Sequence, residues 1–430
     1  MRIINSAEVD VETFLKKKSF DEVELSPKIR EINNKIFGED LSAIEIVRKI
    51  ISDVRNCGDK AVIHYTKKID GVELDNFAVQ VDKLEVDTEI FNSLTVAAEN
   101  IKKFHQEQLP KSWITYRGEN SLLGQAIIPL ERVGVYVPGG TAAYPSSVLM
   151  NIIPAKVAGV KEIIMCTPNA NKTVLAAAKL AGVDKIFNIG GAQAIAAMAF
   201  GTNQVPRVNK IVGPGNIFVT LAKKEVYGHC DIDMLAGPSE ILIIADENAN
   251  PIYAAADMLS QAEHDTLASS ILITTDENLA EKIAAQVEIQ LEKLPRKEIA
   301  AASINRNGLI VVAKNLDEAI DFANFSAPEH LELLVKEPFS LLPKIKNAGA
   351  IFLGAFSPEP LGDYLAGPNH VLPTGGTAKF YSVLNVETFL KRTSLISYTK
   401  TDLLNAADDI IRLAHAEGLH AHANAISARR

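Results

Sequence analysis

The chain has 430 residues, of which 47% are apolar and 23% are charged, and its formal net charge is −9. That length exceeds what one hydrophobic core usually serves, so we expect a soluble globular protein of two or more domains, and its acidic balance argues against nucleic acid as a partner. No run approaches the roughly 18–20 apolar residues of a membrane span, and the N-terminus turns acidic at Glu8, too soon for a secretory signal, which predicts a cytoplasmic protein.

The first 110 residues read mainly as helix. Residues 42–56 and 86–108 carry apolar side chains at helical spacing, and these stretches stop at Gly58 and before Pro110. We therefore predict a helical N-terminal region over residues 1–131 that joins the second of two α/β domains.

From Arg132 the pattern changes to short apolar runs that alternate with stretches of helical spacing, which indicates βαβ units and a parallel sheet. In a first domain, residues 132–237, the runs are 133–137, 162–166, 185–189 and 210–212, with helical pieces at 174–180 and 193–200. In a second domain, residues 238–378, the runs are 241–245, 270–274, 309–313, 331–335 and 350–353, separated by helical pieces at 250–264, 276–293, 315–324 and 339–347.

This alternation predicts an α/β fold with two Rossmann-like, doubly wound parallel sheets in succession. The turn at Gly375 and Gly376 ends the second series, and the tail, residues 379–430, has a helical pattern at 401–417. Such a tail can pack on its own chain or reach a partner subunit.

Three glycine-containing turns follow predicted strands of the first domain, at 136–140, 190–193 and 213–216. Glycine lets the backbone approach a phosphate, and helix N-termini offer a phosphate free N–H groups. None of the three has the G-x-G-x-x-G pattern. From the residues alone, a nucleotide site and tight packing are equal alternatives.

Two polar groups in the second domain could bind a cation. Gln261 and His264 share one face at the end of a predicted helix, one turn after Asp257, although an ordinary polar helix end has the same pattern. Asp363 and His370 flank a Gly-Pro turn in a stretch without helix or strand pattern, which is typical of a ligand-binding loop.

The C-terminal tail adds Glu417, His420 and His422, which equally fit a solvated, histidine-rich helix end. One tail histidine, combined with the helix-end pair and Asp363, gives four nitrogen and oxygen ligands. That set suits Zn²⁺ or another divalent transition metal.

Glu329 and His330 form an acid–base pair just before a predicted strand. Adjacent side chains project differently, so His330 could take a proton from an alcohol while Glu329 activates a water. A polar pair at a strand edge, without chemistry, is the alternative.

The three cysteines, Cys57, Cys166 and Cys230, are widely spaced and form no C-x-x-C motif. This argues against a disulfide framework or a cysteine-based zinc site. We expect three small buried hydrophobic side chains, with Cys230 as a nucleophile the minority interpretation.

Eight motifs, in order along nearly the whole chain, resemble those of histidinol dehydrogenases. They are R-V-G-V-Y-V-P-G-G at 132–140, G-G-A-Q-A-I-A at 190–196, V-G-P-G-N at 212–216, L-A-G-P-S-E at 235–240, S-Q-A-E-H-D at 260–265, A-P-E-H-L-E at 327–332, G-D-Y-L-A-G-P-N-H at 362–370 and E-G-L-H-A-H at 417–422. No single motif is specific, but eight in the right order are.

The resemblance implies the last two oxidations of histidine biosynthesis, from L-histidinol through L-histidinaldehyde to L-histidine, with two NAD⁺ reduced. It also implies one Zn²⁺ per subunit, which positions the substrate, and a homodimer whose C-terminal tail crosses into the neighbouring subunit. The missing G-x-G-x-x-G agrees with this family, whose NAD site is an atypical Rossmann-like one.

Carried onto this sequence, the resemblance assigns residues by role. His330 is implied as the general base of the alcohol oxidation, and Glu329 as the group that activates water to attack the aldehyde. The implied zinc ligands are Gln261, His264, Asp363 and, from the neighbouring subunit, His422, with His420 as an alternative. Substrate contacts are implied for Ser239, His370 and Glu417, besides His330 and the zinc ligands, and NAD contacts for Tyr136, Gln193 and Asn216.

Two other functions could use some of the same residues. A metal-dependent hydrolase without nucleotide needs only the cation ligands and the Glu329–His330 pair, but it leaves the glycine turns unexplained. A non-catalytic, zinc-stabilised oligomer needs only the ligands and has no use for an acid–base pair.

Overall fold

The computed structural model describes residues 1–17, 27–80, 86–118, 120–139, 144–169 and 171–430. Its strands are β1 (Arg2–Asn5), β2 (Trp113–Arg117), β3 (Ser121–Pro129), β4 (Arg132–Tyr136), β5 (Glu162–Cys166), β6 (Lys185–Phe187), β7 (Lys210–Val212), β8 (Asp231–Ile232), β9 (Glu240–Ala245), β10 (Ser269–Thr274), β11 (Leu309–Val312), β12 (His330–Leu334), β13 (Ala350–Leu353) and β14 (Leu390–Ser397). Its helices are α1 (Val11–Leu15), α2 (Pro27–Phe37), α3 (Ala43–Cys57), α4 (Asp59–Tyr65), α5 (Thr88–Gln106), α6 (Pro145–Ala158), α7 (Lys172–Ala181), α8 (Gly191–Phe200), α9 (Ile217–Val226), α10 (Pro251–Ala262), α11 (Glu277–Leu291), α12 (Lys297–Asn307), α13 (Leu316–Ser326), α14 (Pro338–Leu341), α15 (Glu359–Tyr364), α16 (Lys400–Ala416) and α17 (His420–Ser427).

The first large sheet has the strand order β6-β5-β4-β7-β8, and every pairing in it is parallel. Its strands are short apolar runs buried on both faces, because helices cover each side. Val133 and Val135 pack against α6, while Tyr136 and Ile164 belong to the core on the side of α8. The order reverses between β4 and β7, so their carboxyl ends border a crevice where ligands bind in such folds.

The second large sheet has the order β1-β11-β10-β9-β12-β13, again with parallel pairing throughout. Apart from the edge strand β1, this order repeats that of the first sheet, with β9 and β12 in the places of β4 and β7. The predicted α/β class with two doubly wound parallel sheets is therefore confirmed. Among the described helices, none is both long enough and apolar enough to cross a membrane.

The N-terminal region is divided between the two sheets, and the prediction that it joins the second one holds only for its first residues. β1 pairs with β11, and Leu15 of α1 lies in the core of the second sheet. In contrast, Val47 of α3 and Val62 of α4 belong to the core of the first sheet. The reason is steric fit, since the alanine-rich α8 gives these helices a smooth apolar surface to pack on.

Two further differences concern local structure. Residues 113–117 and 121–129, predicted as part of a helical region, form the antiparallel strands β2 and β3, and the tail strand β14 pairs with β3. The helix predicted over 339–347 is wrong, because α14 ends at Leu341 and continues only as a 3₁₀ turn to Lys344. Pro343 removes a backbone donor that a longer helix would need.

Candidate active site

At the amino edge of the second sheet, the backbone of Glu240 contacts the side chains of Glu329 and His330. Glu240 begins β9, His330 begins β12, and the two strands are neighbours. The Glu240 N–H donates to Glu329 Oε2 at 2.8 Å, and the Glu240 carbonyl accepts from His330 Nδ1 at 3.0 Å. The predicted acid–base pair is therefore buried and held by one residue of the adjacent strand.

The contact with Glu240 decides which nitrogen of His330 can act as a base. A carbonyl oxygen only accepts hydrogen bonds, so Nδ1 carries the hydrogen, and Nε2 has the free lone pair of the neutral ring. Nε2 has no hydrogen-bond partner among the described residues, and Asp363 Oδ1 lies 3.8 Å from it. This nitrogen is available to a proton on a bound ligand.

Burial and neighbouring charges shift the pKa values of both groups. Burial raises the pKa of Glu329 to about 8, although the charge of His330 opposes this. Burial alone would lower the pKa of His330, but the charges of Glu329 and Asp363 raise it to about 10. Without a cation, protons are thus held tightly here, and a cation next to Asp363 would lower both pKa values.

Asp363 lies in a short helix, and the prediction of a loop at this position is wrong. Proline is favoured in the first turn of a helix, where its missing N–H is not needed, and Pro360 occupies that turn of α15. Burial by itself raises the pKa of Asp363, but the nearby His330 and the charge of His370 lower it well below its usual range. The side chain is therefore a carboxylate at neutral pH.

Three side chains lie close enough together to hold a cation. His264, Glu359 and Asp363 each offer a ligand atom within 4.8 Å of the other two. Gln261, on α10, is fully buried, and within the described chain neither its amide oxygen nor its amide nitrogen has a partner. An unpaired amide in a protein interior is costly unless a ligand satisfies it. Imidazole, carboxylate and amide donors together fit Zn²⁺.

Glu359 is a member of this cluster to which the sequence pattern does not point. Its Oε2 accepts from Ser260 Oγ at 3.2 Å, and its N–H donates to Glu332 Oε1 at 2.7 Å. Burial and the charge of Asp363 raise its pKa to about 8. Its spacing is the one signal that could have revealed it, because residues four apart lie on one helix face and Asp363 is four residues later.

Two more acids are buried behind the cluster. Burial raises the pKa of Glu332 well above its usual range, and the nearby charge of Asp257 adds to this shift. Burial raises the pKa of Asp257 to about 6. Asp257 is on α10, which also carries Gln261, and Glu332 is on β12, which also carries His330.

His370 and Ser239 lie where the two sheets approach each other. His370 Nδ1 contacts the Asp363 carbonyl at 3.0 Å, and its Nε2 lies 3.3 Å from Ser147 Oγ in the first turn of α6. Ser239 is half-buried immediately before β9, and its carbonyl accepts the Ser269 N–H at 3.0 Å. Both residues are thus fixed through their own backbone or ring contacts.

A cavity of about 390 Å³ opens beside these groups. Phe352, Leu361 and Leu372 contribute apolar walls, and the polar lining includes His330, Asp363 and His370. A mostly apolar cleft with a few convergent polar groups is typical of a small-molecule site. Its size suits a ligand with a single small ring and a short polar chain.

The tail residues are not gathered at this site within one chain. His420 and His422 are on α17, Glu417 lies just before it, and all three are exposed. Within the described part of the chain, the cation cluster does not include them. His420 instead contacts His415, with 3.1 Å between their Nδ1 atoms.

The glycine turns of the first sheet are held by the residues that the resemblance singled out. The Tyr136 hydroxyl accepts the Gly191 N–H at 3.1 Å, and Gln193 Nε2 donates to Asp70 Oδ2 at 3.2 Å. Asn216 caps α9 by accepting two backbone N–H groups. Gly140, the last residue of the first turn, lies outside the described residues.

The cysteines behave as predicted at two of three positions. Cys166 and Cys230 are buried, but Cys57 is exposed at the end of α3. Burial raises the pKa of Cys230 to about 12. A thiol with such a pKa is not a nucleophile at neutral pH, so the minority interpretation of Cys230 is wrong.

Comparison with known proteins gives one consistent result. Residues 34–430 match a family model described as histidinol dehydrogenase. The chain is 51% identical over 441 residues to histidinol dehydrogenase of Heliobacterium mobile, covering 100% of this chain and 99% of that relative. It is 55% identical over 392 residues to histidinol dehydrogenase of Bacillus cereus, covering 89% and 91%. The crystal structure of histidinol dehydrogenase from Elizabethkingia anophelis superposes with a TM-score of 0.90 at 38% identity, covering 100% of this chain and 98% of that one.

Asp257→Asn should change how stability depends on pH. Asp257 has an ordinary pKa of 3.8 and a folded-state pKa of about 6, so in that interval the folded state keeps a proton that the unfolded state has released. The stability that this proton provides is lost as pH rises through the folded pKa, and asparagine never ionises. The variant should therefore become more stable than the wild type as the pH rises from about 4 to 7, with a difference in the free energy of unfolding that reaches about 3 kcal/mol.

Urea unfolding of metal-free protein across this pH range measures the difference. Asp321→Asn, at an exposed position of α13, is the matched control and should leave the pH dependence unchanged. Identical pH slopes for wild type and Asp257→Asn would contradict the prediction.

Proposed function

Because the chain belongs to the histidinol dehydrogenase family, we infer that it oxidises L-histidinol to L-histidine in two NAD-dependent steps, through L-histidinaldehyde. The observation that carries this inference is the buried Glu329–His330 pair, held by Glu240 and facing Asp363. Two successive oxidations at one carbon need a base for the alcohol and a base for water, and this pair offers both.

Gln261, His264 and Asp363 would hold Zn²⁺, and the fourth ligand would be His422 from a second subunit. When bound, zinc would bind the amino and imidazole nitrogens of the substrate, and NAD⁺ would accept the hydride of each oxidation. The unpaired buried amide of Gln261 supports this ligand set. Glu359 also offers a ligand atom within 4.8 Å of those of His264 and Asp363, so we assign it to the same cluster as a neighbouring carboxylate.

In the first oxidation, His330 would take the hydroxyl proton of the alcohol through Nε2. The Nδ1–H bond to Glu240 fixes the ring and leaves Nε2 as the only basic nitrogen. In the second step, Glu329 would take a proton from the water that attacks the aldehyde, and His330 would take a hydroxyl proton from the resulting hydrate. One cleft then retains the reactive aldehyde through both steps.

The NAD site is proposed at the carboxyl edge of the first sheet, with Tyr136, Gln193 and Asn216 as contacts. Tyr136 orders a glycine turn and Asn216 a helix start at that edge, while Gln193 lies in the first turn of α8 and donates to Asp70. Helix N-termini and glycine turns are the usual phosphate-binding parts of such sheets, and the resemblance gives these turns the same purpose. Ser239, His370 and Glu417 are proposed as further substrate contacts.

A homodimer that shares its sites is proposed from the exposed tail. β13 is the edge strand of the second sheet, its four apolar residues are partly exposed, and they line the cavity. The tail exposes Leu413 and Leu419 next to Glu417 and His422. A second copy of the chain would cover such apolar surface and supply the missing ligand.

These observations argue against the two alternative functions, a metal-dependent hydrolase and a non-catalytic zinc-stabilised oligomer. A metal-dependent hydrolase finds no support in the family comparisons, and it has no use for the glycine turns. A non-catalytic zinc site does not need a buried acid–base pair beside its ligands.

Complete oxidation of histidinol should yield two NADH for each molecule consumed, because the aldehyde is oxidised at the same site. Absorbance at the NADH band, with histidine measured by chromatography, gives the ratio. Chelation of the metal should abolish turnover, and added Zn²⁺ should restore it. A ratio of one with free aldehyde in solution would contradict the two-step assignment.

Glu329→Gln should slow the second oxidation much more than the first, by about 100-fold or more, because the amide cannot take a proton from water. It keeps an oxygen for the Glu240 N–H, so the pair should remain in place. Single-turnover rates with histidinol and with histidinaldehyde separate the two steps, and exposed Glu247→Gln is the matched control. Equal losses in both steps would remove the proposed role.

Mixing two inactive variants tests the shared site. Chains with His264→Asn and chains with His422→Asn should each be inactive, yet a mixed dimer has one site in which both residues are native. After unfolding and refolding of an equal mixture, activity should return to about a quarter of the wild-type value. Recovery of none would place both ligands on one chain.

A further inference from the structure

A buried Lys–Asp pair holds the third glycine turn of the first sheet, and the proposed chemistry does not use it. Lys223 of α9 and Asp233, directly after β8, contact each other with side chains 3% and 1% exposed. Lys223 Nζ donates to the Gly213 carbonyl at 2.9 Å, and Asp233 Oδ2 accepts the Gly213 N–H at 2.8 Å. Both polar backbone groups of Gly213 are therefore bonded to one buried ion pair.

A buried ion pair calls for an explanation, because removing two charges from water is costly. Proteins in which apolar residues replace such a pair are often no less stable. Gly213 indicates what the pair achieves. Its φ is +110°, and a Cβ there would lie 2.1 Å from the Tyr136 carbonyl oxygen, so only glycine fits against β4 at this point. The ion pair holds the turn in that close approach from both sides.

The same aspartate begins the segment that joins the two sheets. Residues 233–240 run from the carboxyl edge of the first sheet, after β8, to the amino edge of the second, where Glu240 holds Glu329 and His330. The segment is tied along its length, since the Ala236 carbonyl accepts from Thr220 Oγ1 at 2.8 Å. A shift of Asp233 would therefore displace both the 213–216 turn and the Glu329–His330 pair.

We propose that Lys223 and Asp233 are positioning residues that set the distance between the dinucleotide at the 213–216 turn and the Glu329–His330 pair. The proposal rests on the NAD-dependent function inferred above. Hydride transfer needs the reacting atoms about 3–3.5 Å apart, and a displacement of about 1 Å can cost about 100-fold in rate. The ion pair touches no substrate atom and acts only through Gly213 and the connecting segment.

The test replaces the pair by an apolar one of similar size, Lys223→Met with Asp233→Leu. The dissociation constant for NADH, measured by fluorescence, should rise about tenfold or more, because the turn loses two charge-assisted hydrogen bonds. The rate of the first oxidation at saturating NAD⁺ should also fall. Zinc content should not change, since neither Lys223 nor Asp233 contacts a proposed zinc ligand.

The matched control is Lys156→Met with Asp184→Leu. Lys156 Nζ lies 3.0 Å from Asp184 Oδ2, and that oxygen also accepts the Ile163 N–H at 2.7 Å. This is the same chemistry at the amino edge of the same sheet, away from the turn, so NADH affinity should stay within about twofold of the wild type. Lys223→Arg keeps the charge and should retain most of the affinity.

Unchanged NADH affinity and turnover in the folded Lys223→Met, Asp233→Leu protein would overturn the proposal and leave the pair as core packing. If the double variant does not fold, the same measurements are made on Asp233→Asn, which keeps an acceptor for Gly213. Unchanged NADH affinity and turnover in that variant would likewise overturn the proposal. Wild-type protein that binds no NADH would instead refute the proposed function, so the two failures are distinguishable.

Discussion

The backbone of Glu240 is the constraint on which the site depends. Its N–H and its carbonyl bind Glu329 and His330, so one residue of a central strand holds both members of the proposed acid–base pair. β9 is hydrogen-bonded on both sides, to β10 and β12, and cannot shift without breaking the sheet. The Glu240 side chain also contacts Lys17 and the Gly375 N–H, so the same residue connects both ends of the second domain.

The two sheets share one strand order but use opposite edges. In the first sheet the glycine turns follow the strands, as expected for ligands at the carboxyl ends of a parallel sheet. In the second sheet, Glu329 precedes a strand and His330 begins it, so the proposed acid–base pair lies at the amino edge. A dinucleotide on one edge can meet the acid–base pair on the other only if the two edges face each other. The short connection between β8 and β9 joins these two edges directly and so fits that arrangement.

Local rules explain which parts of this structure can be read from the sequence. Asn250 and Pro251 cap and start α10 as their residue types predict, which places Gln261 and His264 correctly at its end. The apolar runs likewise predict most strands of the two parallel sheets, because a buried strand is a local run of apolar residues. The four-residue strand β1 could not be found, because nothing local distinguishes it, and its partner β11 is some 300 residues away.

For the site residues, too, nearby sequence predicts some features, whereas others depend on contacts with distant parts of the chain. The motifs identify Asp363, but its helical conformation depends on contacts with β12, through the Glu332 carboxylate that accepts the Glu359 N–H. Glu359 belongs to the candidate cation cluster only because folding brings it beside His264. Residue types and their order thus indicate the chemistry, whereas the partners that tune each pKa come from elements that are far apart in the chain.

In the proposed dimer, the exposed tail would help to retain the reactive intermediate. A single chain leaves the cavity open along β13, from which an aldehyde could escape between the two oxidations. In the proposed dimer, the tail of one subunit would close the cavity of the other and bring His422 to the metal ligands. Closure and ligation would then be one event, so a site without its neighbour would lack both its metal geometry and its barrier to solvent. Sharing the site between subunits would make catalysis depend on assembly.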